Sequence, residues 1–113
     1  MPRKHVTSTS APSAVVDLAR RLGANITLAR KRRRLSQEQL AMKAGISRPT
    51  LARVEAGDLG VGLGLYLAVL WALGLERQVN HLASPESDAV GATLEAARLG
   101  QRMRANTALS DDF

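Results

Sequence analysis

The side chains best able to do chemistry are cations, and they are concentrated in one segment. Between Leu18 and Gly57 the sequence has ten Arg and Lys residues against two carboxylates, Glu38 and Glu55, a local charge of +8 in a chain of formal charge +6. Such a basic segment is typical of a nucleic-acid-binding surface. The alternative is a solvated face, or cations that stabilise the carboxyl end of a helix, as the run Arg30–Arg34 would do. Charge alone leaves both interpretations open.

Residue types that could catalyse a reaction or hold a metal are sparse. The chain has no cysteine, which excludes disulfides, thiol nucleophiles and cysteine-based metal sites, and which fits a reducing compartment. Its two histidines, His5 and His81, are far apart and have no companions at metal-ligand spacing. Two acidic pairs in the second half lie in loop-like sequence, and no nucleophile motif is present. We expect no enzymatic activity and no cofactor.

Two short helices are predicted on either side of Gly45. The string SQEQ that begins at Ser36 is typical of a capping box, in which the serine hydroxyl and the last glutamine side chain each bond the other residue's amide. It starts a helix that runs to about Ala44, and Gly45 can adopt the left-handed conformation that ends it. Ser47 is a second N-cap, and a proline is tolerated in the turn that follows. The next helix runs to about Ala56.

The apolar spacing of the second short helix predicts which face is exposed. Leu51 and Val54 hold this helix on the core, so Arg48 and Arg53 point the other way. Two short helices joined by a glycine-containing turn make a helix-turn-helix, whose second helix can enter the major groove of DNA. There an arginine can bond guanine O6 and N7, while amides at the amino end of the first short helix can bind a phosphate.

We therefore expect a set of DNA contacts on this unit. It comprises the amino ends of both short helices, the exposed face of the second, and a lysine on the first: Ser36, Gln37, Lys43, Ser47, Arg48, Pro49, Thr50 and Arg53. Some members have alternatives. Lys43 is a phosphate contact or a solvated charge, Pro49 contacts a thymine methyl or sets the helix start, and Arg53 reads DNA or pairs with a neighbouring carboxylate. Glu55 is expected to be structural.

The elements around this unit are also predicted to be helical. A first helix begins near Ser13 or later and ends near Arg33, after a disordered stretch over residues 1–12 that shows no signal peptide. The glycine-rich residues 57–64 form a flexible connection. A fourth helix covers about 63–73. It is apolar nearly all round, which predicts central burial or a subunit interface, with Trp71 as a core or dimer residue. The apolar stretch Leu63–Leu75 has 13 positions, too few for a membrane span of roughly 20 residues.

The carboxyl-terminal part is less regular. Residues 75–82 are ambiguous between helix and strand, a helix is plausible near Glu86–Arg98, and residues 105–113 look disordered. From Arg77 onward the chain has four basic and five acidic residues, so it is not a DNA-binding arm. Its tail, Ser110–Phe113, either folds onto a partner or is a plain solubilising end. We divide the chain into residues 1–12, a DNA-binding domain over 13–76, and an extension over 77–113 for dimer or partner contacts.

The string LSQEQLAMKAGISRPTLARVEAG resembles the helix-turn-helix of the Xre/Cro family of bacterial and phage repressors. Residues 22–75 resemble the five-helix λ-repressor-like domain as a whole. The segments GLGLYLAVLWALGLE and LASPESDAVGATLEAARLGQRMR resemble HipB-type antitoxins, which are paired with HipA-like serine/threonine kinase toxins. The resemblance implies an all-α protein in the bacterial cytoplasm, without a membrane partner. It also implies a homodimer that represses its own operon at an inverted-repeat operator and keeps a kinase inactive.

Two other functions stay open. One is a stand-alone Xre-family repressor without a toxin partner, and the other is a protein-interaction scaffold whose helix-turn-helix does not read DNA. The basic face of the second short helix counts against the scaffold. The extension counts against the stand-alone repressor, because a minimal repressor does not need it.

Overall fold

A computed structural model describes residues 10–111, and all regular structure in that range is helical. The predicted all-α class is confirmed. Most of the predicted disordered amino terminus, residues 1–9, lies outside the described residues, as do residues 112–113. The elements of the described range are α1 (Ser13–Arg32), α2 (Gln37–Ala44), α3 (Arg48–Glu55), α4 (Leu63–Ala72), α5 (Glu76–Val79), a 3₁₀ turn (Pro85–Ser87) and α6 (Ala89–Asp111).

The chain divides into two compact units, with the boundary between Arg77 and Gln78. The first unit holds α1 to α4 and the first half of α5, and the second holds the 3₁₀ turn and α6. Within the described residues, no helix is both long and apolar enough to cross a membrane.

The hydrophobic core lies entirely in the first unit. Leu51 and Val54 of α3 are fully buried, as predicted, and they meet Leu40 of α2, Ile26 of α1 and Val69 of α4. Each such side chain contributes about 1.5–3 kcal/mol when it is buried. Because α3 presents its apolar residues to three other helices, its opposite side is left to solvent.

A close approach between α1 and the end of α3 fixes how these two helices cross. A Cβ atom at Gly23 would lie 2.7 Å from the backbone nitrogen of Gly57, and one at Gly57 would lie 2.7 Å from the Cα atom of Arg20. Gly57 also has φ +70°, a left-handed conformation that glycine adopts without strain. The two glycines let the backbones touch where any side chain would separate them.

The predicted central burial of α4 is wrong for this chain. Tyr66 and Val69 are buried, but Leu63 is 69% exposed and Trp71 is 63% exposed. One side of α4 packs against the core, and the side chains of Leu63 and Trp71 are left largely exposed. Trp71 is therefore not a core residue, and its role in a dimer stays a prediction. The helix starts after Gly62 without a side-chain cap.

The second unit differs from prediction at both ends of α6. Its start is set by Asp88, whose carboxylate Oδ1 accepts from the amide of Gly91 at 2.9 Å, while the preceding residues form the 3₁₀ turn. The helix therefore begins at Ala89 and not near Glu86. It continues to Asp111 through residues predicted to be disordered, because the sequence after Gly100 has no proline or glycine to end a helix. The ambiguous residues 75–82 include the single helical turn α5.

Candidate nucleic-acid interface

The α2–turn–α3 unit is built by local hydrogen bonds, as its sequence predicts. Ser36 Oγ accepts from the Gln39 amide at 3.0 Å, and Gln39 Oε1 accepts from the Ser36 amide at 2.9 Å, which is a complete capping box. Gly45 ends α2 with φ +71°. The amides of Gln37 and Glu38, the first of α2, have no acceptor within the helix and can donate to a phosphate.

The amino end of α3 is also capped. Ser47 Oγ accepts from the Thr50 amide at 3.2 Å and shares a hydrogen bond of 2.7 Å with the Thr50 hydroxyl. Both hydroxyls therefore stabilise the helix start. Pro49 lies in the first turn of α3. This position supports the alternative that the proline sets the start of the helix. The side chain of Ser47 is exposed and that of Thr50 is half-buried.

The outward face of α3 has the composition that the sequence predicts. Arg48, Pro49, Ala52 and Arg53 are all exposed, opposite the buried apolar side of the helix. Among residues 10–111 the Arg48 side chain makes no hydrogen bond or ion pair, so its guanidinium is available to a ligand. Lys43, on the neighbouring helix, is exposed as well.

Arg53 has a carboxylate partner. Its Nε atom donates to Asp58 Oδ2 at 2.8 Å, and the two side chains are 55% and 37% exposed. This is the ion pair that the sequence analysis left as an alternative to DNA contact. Hydrogen bonds from Arg53 and from the Gly60 amide hold the pKa of Asp58 below its ordinary value. The connection over residues 57–64, which was predicted to be flexible, is thus held against α3 at Asp58.

Glu55, at the carboxyl end of α3, joins three segments of the first unit. Arg30 Nε donates to Glu55 Oε2 at 2.8 Å, and Arg30 Nη2 donates to Oε1 at 3.0 Å. Arg30 also donates to the Leu35 carbonyl, at 2.9 Å. Burial raises the pKa of the Glu55 carboxyl, but the hydrogen bonds from Arg30 and Gln37 outweigh it and leave the pKa below its ordinary value. Glu55 is structural, as predicted.

Gln37 is placed differently from the simple phosphate contact that the sequence analysis expected. Its side-chain Nε2 donates to Glu55 Oε1 at 3.1 Å, and the residue is half-buried. The Gln37 side chain therefore helps hold α2 against the end of α3. Its backbone amide, the first of α2, is the group best placed to bind a phosphate.

The comparison with known families agrees with this geometry. Residues 21–82 match a family model described as a helix-turn-helix domain, and this match covers more than half of the chain. The chain belongs to the helix-turn-helix domain family. No curated protein matches the chain.

The helix-turn-helix domain makes the protein a DNA-binding regulator of the Xre-like type. The matched range includes every residue of the predicted interface. It also includes Asp58 and Tyr66, which the sequence analysis did not single out. An Asp two residues before a glycine is a common turn signal. The ion pair with Arg53 has no such signal, because the path of the loop brings Asp58 to the arginine.

Proposed function

We propose that the protein is a sequence-specific autorepressor that also serves as a HipB-like antitoxin against a HipA-like serine/threonine kinase. The observation that carries the DNA-binding part is the outward face of α3. There Arg48, which has no side-chain partner among the described residues, lies between a capped helix start and a second arginine.

The positions of these groups support one mode of docking. The recognition helix α3 enters the major groove, where the Arg48 guanidinium bonds guanine O6 and N7 in a fork. The first amides of α2, beside Ser36 and Gln37, bind a backbone phosphate, and Lys43 binds another. Ser47 and Thr50 reach the backbone or a base edge at the start of α3, where Pro49 sets the helix start. Two copies bind half-sites roughly 34 Å apart in an inverted repeat.

The antitoxin part of the proposal is supported by the resemblance of residues 62–104 to HipB-type proteins and by the presence of a second unit from Gln78 on. A minimal repressor has no need of that unit. Exposed apolar side chains on α4 and α6, such as Trp71 and Leu94, offer surface for dimer and partner contacts.

One pull-down tests the antitoxin part. The baits are the tagged full-length chain and a version that ends at Arg77, the boundary of the first unit, and the captured proteins are identified by mass spectrometry. We expect the full chain to retain a stoichiometric protein kinase, whose autophosphorylation the purified chain then inhibits, and we expect the shorter bait to lose it. Capture of only a second copy of the chain and DNA would favour the stand-alone repressor and contradict the antitoxin role.

A further inference from the structure

Asp58 lies in the loop after α3, beside the arginine at the far end of the exposed face. Within the described residues, Arg53 is the only cation on that face with a carboxylate partner, because Arg48 has none. The Nε atom of Arg53 donates to Asp58 Oδ2 at 2.8 Å. Since the Arg53 side chain is mostly exposed and that of Asp58 is partly exposed, this pair is not needed to neutralise a buried charge.

Asp58 is itself held at three other points. Its amide donates to the Arg53 carbonyl at 3.0 Å, and its own carbonyl accepts from the Tyr66 hydroxyl at 2.8 Å. Its second carboxylate oxygen, Oδ1, accepts from the Gly60 amide at 2.7 Å. Tyr66 is buried, and burial raises the pKa of its hydroxyl, which therefore keeps the proton that it donates. The carboxylate is a fixed anchor for the arginine.

The way Arg53 is held leaves most of its donors unused. A guanidinium has five N–H donors, and the contact with Asp58 occupies the one on Nε. Among residues 10–111 no acceptor bonds the terminal nitrogens Nη1 and Nη2. A fork-shaped contact with guanine needs only two parallel donors. A side chain already fixed in position also loses less conformational entropy when it binds.

We infer that Asp58 is a positioning residue for DNA recognition: it holds Arg53 on the exposed face of α3 with the terminal guanidinium nitrogens left for a base edge. This inference rests on the proposed function, because it requires α3 to lie in a DNA groove. Asp58 acts through Arg53 and touches no DNA. If Asp58 instead competed with DNA for Arg53, removal of the Asp58 charge would raise the affinity for DNA.

The test compares Asp58→Asn with the wild type on two DNA duplexes. One duplex is selected by the full-length wild-type protein from a random library, and the other is its scrambled sequence. Asparagine keeps an oxygen for the Gly60 amide but removes the charge that holds Arg53. We expect Asp58→Asn to weaken binding to the selected duplex about fivefold. Binding to the scrambled duplex should rise slightly, since the variant removes a negative charge that repels phosphates. Repeating the selection with the variant should show relaxed preference at one base pair of each half-site, which a merely structural role would not produce.

Arg53→Ala and the double variant show whether Asp58 acts through Arg53. In the Arg53→Ala background, Asp58→Asn should no longer weaken binding to the selected duplex, and only a slight gain for both duplexes should remain. Glu38→Gln is the matched control, because it removes an exposed carboxylate from the neighbouring helix α2. We expect it to raise affinity slightly for both duplexes, since it removes repulsion from phosphates.

Each other result has a definite meaning. The inference is overturned if Asp58→Asn raises affinity for the selected duplex as the control does, if it leaves that affinity unchanged, or if it still weakens binding to the selected duplex in the Arg53→Ala background. If the wild-type protein selects no sequence at all, the proposed sequence-specific function fails, and the inference fails with it. Selection by the wild type without an Asp58 effect would refute the inference alone.

Discussion

At the scale of single residues, Arg48 and Arg53 are the two cations on the exposed face of α3, and they differ in what surrounds them. Arg48 has no partner among the described residues, whereas Arg53 is tied to Asp58. An unpaired exposed arginine keeps its full side-chain conformational entropy until it binds DNA, and its binding breaks no contact within the protein. The two arginines should therefore contribute differently to recognition, with Arg48 as the side chain that binding itself must order.

Replacing Arg48 tests its role in base recognition. Arg48→Ala should cost on the order of 1–3 kcal/mol in specific binding and should relax sequence choice at one operator position. The measurement is fluorescence anisotropy with the selected duplex and single-base variants of it. Arg98→Ala, an exposed arginine of α6, is the control and should leave binding unchanged. An equal loss of affinity for all sequences would make Arg48 a phosphate contact and contradict base readout.

The charge of Glu55 should matter for stability, because Arg30 is only 11% exposed and would keep its charge without a partner. We expect Glu55→Gln to lower the free energy of unfolding by about 3 kcal/mol, measured by urea denaturation. Asp58→Asn is the exposed counterpart and should cost about 1 kcal/mol or less. Equal costs for the two variants would contradict a special role for the partly buried pair.

The same carboxyl predicts a pH dependence. The folded-state pKa of Glu55 lies below its ordinary value, so its contribution is fully present above the unfolded pKa of about 4.3. That contribution is lost as the pH falls through the lower folded-state pKa. The wild type should therefore lose stability on acidification below about pH 4.3 more steeply than Glu55→Gln. Parallel stability curves for the two proteins would show that Glu55 is not responsible.

At the scale of elements, the crossing of α1 and α3 depends on two glycines. Gly57→Ala should destabilise the protein by at least about 2 kcal/mol, because φ is +70° and the new Cβ atom would meet the backbone of α1. Gly64→Ala is the control, since a Cβ atom there meets nothing within 4 Å. That change in the first turn of α4 should be neutral or stabilise by up to about 1 kcal/mol. Thermal unfolding measures both, and a tolerated Gly57→Ala would contradict the close approach.

How well the sequence predicted an element depends on what determines it. The bounds of α2 and α3 were predictable because Ser36, Gly45 and Ser47 act within one turn of the chain. The exposed side of α4 was not predictable. When a helix is apolar nearly all round, as that around Trp71 is, its sequence pattern does not indicate which side meets the core. The partner of Arg53 was also open, because the path of the loop brings Asp58 to it.

At the scale of the whole molecule, the positive charge is unevenly distributed. Residues 18–57 have a net charge of +8 and the rest of the chain has −2. Because Lys31 to Arg34 and Lys43 are exposed, the first unit presents most of this charge to solvent. The resulting field attracts DNA of any sequence. Under the proposed function, the exposed face of α3 then discriminates among sequences.

Salt dependence separates these two contributions. If a dimer neutralises six or more phosphates, its affinity for DNA should fall about a thousandfold between 50 and 200 mM salt. Protein binding releases cations that are condensed on the DNA, and a higher salt concentration makes this release less favourable. Lys43→Ala should reduce the slope of log affinity against log salt by about one for each protomer if Lys43 binds a phosphate. The measurement is a series of anisotropy titrations at increasing KCl. A slope that Lys43→Ala leaves unchanged would assign Lys43 to solvent, and a flat response of the wild type would remove the electrostatic basis of binding.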